Sequence, residues 1–230
     1  MEGLTWLNTF GTKFYKAFLF EDRWRLYLNG LGATLSITLG AILISTVFGM
    51  VLCLMKISKY PVLRGPAKAY IDIIRGIPVV VQLLIIYNVV LVGVNNKIVI
   101  AVIAFGINSS AYMAEIYRSG INAVDQGQME AGRSLGLTQT QTMWHIIFPQ
   151  ALKNCLPTYT SEFIVLVKET AVVGYIGLMD LTKVYSSVQG MTYDAMAPLL
   201  IIAVAYFCIT KVLAVIFARM ERRLRQSDKR

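Results

Sequence analysis

The side chains best equipped for chemistry in this sequence stand inside runs of apolar residues. Asn108, Tyr112 and Glu115 recur at i, i+4 and i+7, which is one face of a helix, with Ser109 and Ser110 between them. Thr160, Ser161 and Glu162, then Lys168 and Glu169, interrupt a second apolar run, and Gln82 and Tyr87 lie in a third. A polar or charged group in such a segment is costly, so it faces a cavity or a partner. Two carboxylates at similar depth, Glu115 and Glu162, could flank one chamber, and unpaired carboxylates favour a cationic ligand. The candidate path residues are therefore Gln82, Asn108, Ser109, Tyr112, Glu115 and Glu162. Structural alternatives stay open at the same positions. Glu115 could pair with Arg118 across one turn. Lys168 could pair with Glu162 or another acid, Gln82 and Tyr87 could serve packing, and Asn108, Ser109 and Ser110 could bond across helices.

Other chemistries find little support. The single histidine, His145, has no Cys or Asp cluster beside it. Cys53, Cys155 and Cys208 lie in different apolar segments at no metal-ligand spacing. The Gly-x-x-x-x-Gly-Lys-Ser/Thr phosphate loop does not occur, so the chain is expected neither to hydrolyse ATP nor to carry a cofactor or metal of its own.

The elements that position these groups are membrane spans. Of 230 residues, 56% are hydrophobic and 15% charged, against about 25% charged in an ordinary soluble domain. Leu31 to Met55 holds no charge; at about 1.5 Å per residue such a run exceeds the roughly 30 Å hydrocarbon core. The pattern predicts five spans, near Gly30–Met55, Ala69–Val92, Ile98–Tyr117, Leu156–Ile176 and Ala195–Arg219. Arg75-Gly76-Ile77-Pro78 is expected to break or bend the second, because proline removes a backbone donor.

The net charge of +9 is concentrated at span ends. Lys56, Lys59, Arg64, Lys68 and Arg75 mark the first connection; Arg118, Arg133 and Lys153 the third; six basic residues the tail. The second and fourth connections have only Lys97 and Lys183. This asymmetry places the first and third connections and the tail in the cytoplasm, and the N-terminus outside. Residues 1–29 carry Trp6, Phe10, Phe14, Phe18 and Leu19 among Lys13, Lys16 and Arg23, a pattern for an interfacial amphipathic helix or a solvated leader, and not for a cleavable signal. The expected organisation is an N-terminal segment 1–29, a membrane domain 30–220 with a polar loop at 125–150, and a basic tail 221–230.

That loop reads as helix, turn, helix. Asp125 can cap a helix from about Gln128 to Leu135, Gly136 supplies a left-handed end, and Thr138 caps a second helix that should stop near Phe148, since Pro149 disfavours helix in the residue before it. The segment Glu130-Ala131-Gly132-Arg133-Ser134-Leu135-Gly136, nine residues, then Ile146-Ile147-Phe148-Pro149 resembles the signature loop of binding-protein-dependent ABC permeases. The family pattern is Glu-Ala-Ala, three residues, Gly, nine residues, Ile-x-Leu-Pro. Gly132 and Phe148 are the departures. Leu35 to Leu39, Ile73 to Gln82, Ser110 to Ile121 and Phe163 to Ala171 are similar to the polar amino-acid permeases, so the resemblance covers about Gly30 to Arg219.

This resemblance implies an all-α integral membrane protein of the type I ABC importer fold, with about five transmembrane helices and a cytoplasmic coupling hairpin. It assigns Glu130, Ala131, Gly132, Gly136, Ile146 and Pro149 to contact with an ATPase. It also implies partners: a pair of ABC ATPases that bind ATP and magnesium, a second permease subunit, identical or closely related, and an external substrate-binding protein. The cargo would be a polar amino acid, with the acids leaning toward arginine, lysine or histidine, and the location a bacterial cytoplasmic (inner) membrane. Nucleic acid is not an expected partner. The rival reading is an ion-coupled secondary transporter or channel, which predicts inverted halves that the sequence lacks; a membrane enzyme would need a nucleophile, base or metal cluster.

Overall fold

The computed structural model describes residues 9–226, with side chains placed through Arg223. Trp6 therefore lies outside the described residues. Every element in the described part is helical. A short helical stretch ends in a π-turn at Tyr15–Leu19 and a 3-10 turn at Phe20–Asp22. Then come α1 (Trp24–Ile57), α2 (Pro61–Gly76), α3 (Val79–Ile85, extended as a π-turn over Ile86–Val90) and α4 (Lys97–Asn122). The loop contributes α5 (Gln126–Ser134) and α6 (Gln139–Thr142), and α7 (Phe148–Glu169), α8 (Leu181–Thr192) and α9 (Met196–Gln226) complete the chain.

By length and composition α1, α4 and Met196–Arg223 of α9 can each cross a membrane, and α2 with α3 passes the same test only as a bent pair, a broken span or a re-entrant loop. The break falls where the sequence places it. Ile77 is extended, with φ −110° and ψ 132°, because the ring of Pro78 excludes the helical region for the residue before it. The expected fourth span is divided: α7 ends at Glu169, and Thr170–Ile176 tightens into 3-10 turns closed by Gly177 in the left-handed region. Helix α7 carries Lys153, Glu162, Lys168 and Glu169 and is less apolar than the long spans.

The chain forms two compact units. The first comprises the chain up to Gly40, Val79–Phe105 and Leu166–Val212. Ala17, Tyr27, Leu181, Val184, Val188, Ala197 and Ile202 form a buried cluster in it. Asp180 caps α8, accepting from the backbone N–H of Thr182 at 3.0 Å and of Lys183 at 2.8 Å. Lys13 pairs with Asp194 at 2.8 Å, tying the N-terminal segment to the α8–α9 corner.

The second unit comprises Ala41–Pro78, Gly106–Val165 and the chain from Leu213. Here α1 and α4 pack closely because Gly49 faces α4. A Cβ at Gly49 would come within 2.5 Å of Met113 Cβ, and small residues of this kind let membrane helices approach. Thr46 Oγ1 bonds Tyr159 Oη at 2.8 Å and so joins α1 to α7. The loop and the stretches of α4 and α7 that carry both candidate carboxylates belong to this unit.

Candidate functional site

The loop folds as a capped hairpin. Asp125 accepts from Gly127 N–H at 2.6 Å and opens α5. Gly136, with φ +86°, reverses the chain, and Leu137 N–H donates to Gly132 O at 3.1 Å; glycine is the residue that adopts this conformation without a Cβ penalty. Thr138 and Gln141 form a reciprocal capping box at the start of α6. Gly132 is buried against Thr142, and a Cβ there would meet Thr142 Cγ2 at 2.5 Å and Oγ1 at 2.8 Å. Glycine in place of alanine at this point thus lets α5 lie against α6. Val124, Ile147 and Ala151 are buried beneath the hairpin. Glu130, Ala131, Gly136 and Pro149 are exposed, Ile146 is half-buried, and Leu135 presents an apolar side chain that is 80% exposed.

One expectation for the hairpin is corrected. The second helix does not stop at Phe148. It widens into a π-turn over Met143–Ile147 and runs on as α7. Phe148 keeps helical angles (φ −60°, ψ −44°), and its N–H donates to Met143 O, five residues back. The extra residue in that turn shifts the preceding carbonyls away from the ring of Pro149, which would collide with them in a regular α-helix. The second hairpin helix and α7 are in consequence one continuous helical element.

The two carboxylates have different surroundings. Glu115 is neutralised: Lys56 Nζ donates to its Oε1, and Arg118 donates to its Oε2 from Nε at 3.0 Å and Nη2 at 2.7 Å. Glu162, on α7, is half-buried and accepts one hydrogen bond, from Ser109 Oγ at 3.0 Å. No Lys or Arg pairs with it among the described residues, and Lys168 is exposed with no acidic partner there. Asn108, Ser109 and Ser110 are buried on α4, and Tyr70 Oη reaches Ser110 Oγ at 2.9 Å. Tyr112 lies under the guanidinium of Arg75, whose central carbon is 5.4 Å from the ring centroid. Gln82 is buried on α3, in the first unit. Five of the six path candidates thus stand on α4 and α7 within one unit.

This arrangement, a capped hairpin continuous with a helix that bears an unneutralised acid inside a membrane bundle, suits a transporter moved by an external engine. Residues 41–226 match the family described as binding-protein-dependent transport system inner membrane component. The chain belongs to this family. Among the permeases it resembles is the arginine transport system permease protein ArtQ of Bacillus subtilis (strain 168), 38% identical over 204 residues, covering 87% of this chain and 93% of that protein. Another is a putative glutamine transport system permease protein, GlnP, of Rickettsia bellii (strain RML369-C), 36% identical over 208 residues, covering 89% and 95%. A crystal structure of an amino acid ABC transporter with histidines superposes with a TM-score of 0.82 at 45% identity, covering 86% of this chain and 94% of that one. The MetNI methionine transporter in an inward-facing conformation shares the fold, with a TM-score of 0.77 at 22% identity. The permease is accordingly an inner-membrane subunit of an ABC importer in the amino-acid branch of its family, and is not itself the ATPase.

Sequence reasoning missed three partners in this permease. Lys56 was counted as a loop charge, yet it closes on Glu115 from 59 positions away. Arg75 was counted likewise, yet it stacks on Tyr112. Thr160, singled out as polar, donates to Glu221 on α9 at 2.7 Å. A basic residue at the very end of an apolar run is the signal that could have suggested the Lys56 pair.

Proposed function

We propose that the permease carries a cationic amino acid inward across the cytoplasmic membrane by alternating access, driven by an ATPase pair that seats on the hairpin Gln126–Ile147. The observation that carries the cationic specificity is Glu162. It lies in a polar stretch of α7, accepts from Ser109, and has no Lys or Arg paired with it among the described residues. An anion in that position costs free energy unless a positive ligand visits it. The relatives' names include arginine and, as a putative assignment, glutamine, so this reading looks for the selecting group in the individual chain or its binding protein.

The energy enters through the hairpin. Closure of two ATPases on ATP and magnesium would move the hairpin, and the unbroken run through Phe148 into α7 would carry that movement to Glu162. A second permease, identical or closely related, and an external binding protein complete the assembly. Glu130, Ala131, Gly132, Gly136, Ile146 and Pro149 form or support the ATPase contact in this scheme, and Asn108, Ser109, Tyr112 and Glu162 border the path. Glu115 is withdrawn from the path by its two cations and acts as a clasp.

The test is reconstitution with the partner ATPase and binding protein in liposomes, following uptake of labelled arginine, lysine, histidine and glutamine together with ATP hydrolysis. The expected outcome is uptake of a basic amino acid and a lost preference for it over glutamine in Glu162→Gln. An unchanged preference overturns the cationic reading. Labelling of Ser134 or Gln139 from outside intact cells overturns the ATPase contact.

A further inference from the structure

We infer that Arg75 is the receptor for the carboxylate of the transported amino acid, facing the cationic end held at Glu162; this rests on the transport reading above. Arg75 is in the last turn of α2, next to the break at Gly76–Pro78, and is exposed within the chain. Its guanidinium lies over the ring of Tyr112. Among the described residues no acid pairs with it and no oxygen accepts from its N–H groups. The cation–π contact uses the ring face and holds the long side chain in place. It leaves the planar fork of donors available, and that fork matches a carboxylate in bidentate fashion.

Helix α4 brings the two charges to one place. Glu162 bonds Ser109, and Arg75 covers Tyr112. These α4 residues are three positions apart, which is about 4.5 Å along the axis and about 60° around it. An acid from α7 and a base from α2 therefore bracket one turn of α4 without pairing with each other. Opposite charges that could meet inside a membrane would gain by doing so. Held apart by their separate contacts to α4, they leave a site with one positive and one negative end. A free amino acid with a basic side chain has that polarity. A metal cation, a simple amine or an uncharged solute uses only half of it.

The experiment measures direct binding to the permease–ATPase complex in nanodiscs, without the binding protein, whose own selectivity would mask the effect. The probes are labelled arginine and argininamide, at mildly acid pH, where both keep a protonated α-amino group. The amide preserves the side chain and lacks the carboxylate. The wild-type complex is expected to bind arginine at least about tenfold more tightly than argininamide, a difference of about 1.4 kcal/mol. Arg75→Gln should weaken arginine by about that factor and leave argininamide unchanged. Arg75→Lys should keep part of the preference, because it keeps the charge and loses the fork. Each variant is read as an acid-to-amide ratio, so partial loss of folded protein does not imitate the result. An unchanged ratio in Arg75→Gln, an equal loss of both probes, or a wild-type complex indifferent to the carboxylate each overturns the assignment. If arginine is taken up by liposomes in any of these cases, the transport reading survives and only the role of Arg75 falls. Binding of neither probe by the wild-type complex overturns both.

Discussion

Two acids of the same unit, one on α4 and one bound to α4 six positions earlier, have opposite fates. At the α1–α4 end, Glu115 is gripped by Lys56 and Arg118. One to two turns away, Glu162 has a serine. The first arrangement joins the end of α1 to the end of α4 and has no charge left to offer. In the second, no Lys or Arg pairs with the acid among the described residues. Sequence periodicity treats these residues as equivalents. What separates them is whether a cation from a distant part of the chain arrives, so the first acid holds the bundle together and the second is free to work.

The sharpest test of this contrast is stability. Glu115→Gln leaves Lys56 and Arg118 facing each other without the acid between them. Breaking a buried ion pair costs about 3–5 kcal/mol and an exposed one about 0–1 kcal/mol. With side-chain exposures of 18% for Glu115, 20% for Lys56 and 37% for Arg118, we expect a loss of about 2 kcal/mol, an intermediate value. Glu162→Gln removes a charge that nothing compensates and keeps the size of the side chain, so it should leave stability unchanged or raise it. Thermal melting of the two purified variants in one detergent decides the matter. Equal destabilisation would erase the distinction between clasp and site.

The hairpin allows a second contrast, between a position chosen for contact and one chosen for fit. Glycine to alanine inside a helix ordinarily gains roughly 0.5–1 kcal/mol. At Gly132 the new Cβ would meet the buried, hydrogen-bonded Thr142, and overpacking costs about 1–3 kcal/mol. Gly132→Ala should therefore loosen α5 from α6 by about 1 kcal/mol net and lower uptake per ATP hydrolysed. Adding Thr142→Ala clears the space, so the double variant should recover the coupling ratio. Additive losses would place the fault elsewhere. An exposed neighbour such as Ala131→Ser should leave hairpin stability unaltered.

How much of this was legible depends on range. The hairpin is local: Asp125, Gly136 and Thr138 act on backbone within a few residues, and their roles could be read from residue type and spacing. The spans Gly30–Met55 and Ile98–Tyr117 were legible from unbroken hydropathy, and the structure extends them to Trp24–Ile57 and Lys97–Asn122, where polar and aromatic ends carry no hydropathy signal. The continuation through Phe148 was not legible, because proline statistics describe the α-helix and the chain resolves the clash with a π-turn. The partners of Glu115 and Tyr112 were illegible for a plainer reason. Lys56 and Arg75 look like topology charges in sequence, and only the packing of α1 and α2 on α4 brings them to an acid and a ring.

The weakest expected effect lies in the first unit, where an exposed pair is set against the half-buried clasp. The Lys13 ammonium beside Asp194, helped by the N–H of Ala197, holds the Asp194 carboxyl below the usual carboxylate range. A depressed acid stabilises the folded form above its ordinary value, near pH 4, and that contribution is lost as pH falls through the lowered value. Lys13 is 41% exposed, so solvent screening limits the pair to about 0.2–1 kcal/mol. Hydrogen-exchange protection of the N-terminal segment, taken relative to the intrinsic rate at each pH, should therefore stay flat from neutral pH down to the usual carboxylate range, then fall for residues 9–19 below it as they loosen from the α8–α9 corner. Asp194→Asn should show the looser exchange at every pH and no acid step. High salt should reproduce that behaviour in the wild type, since an exposed pair is screened within about 10 Å at 0.1 M, whereas the clasp at Glu115 should hold. A clasp as sensitive to salt as the Lys13 pair would mean that Glu115 is not shielded, and the difference drawn between it and Glu162 would lose its physical basis.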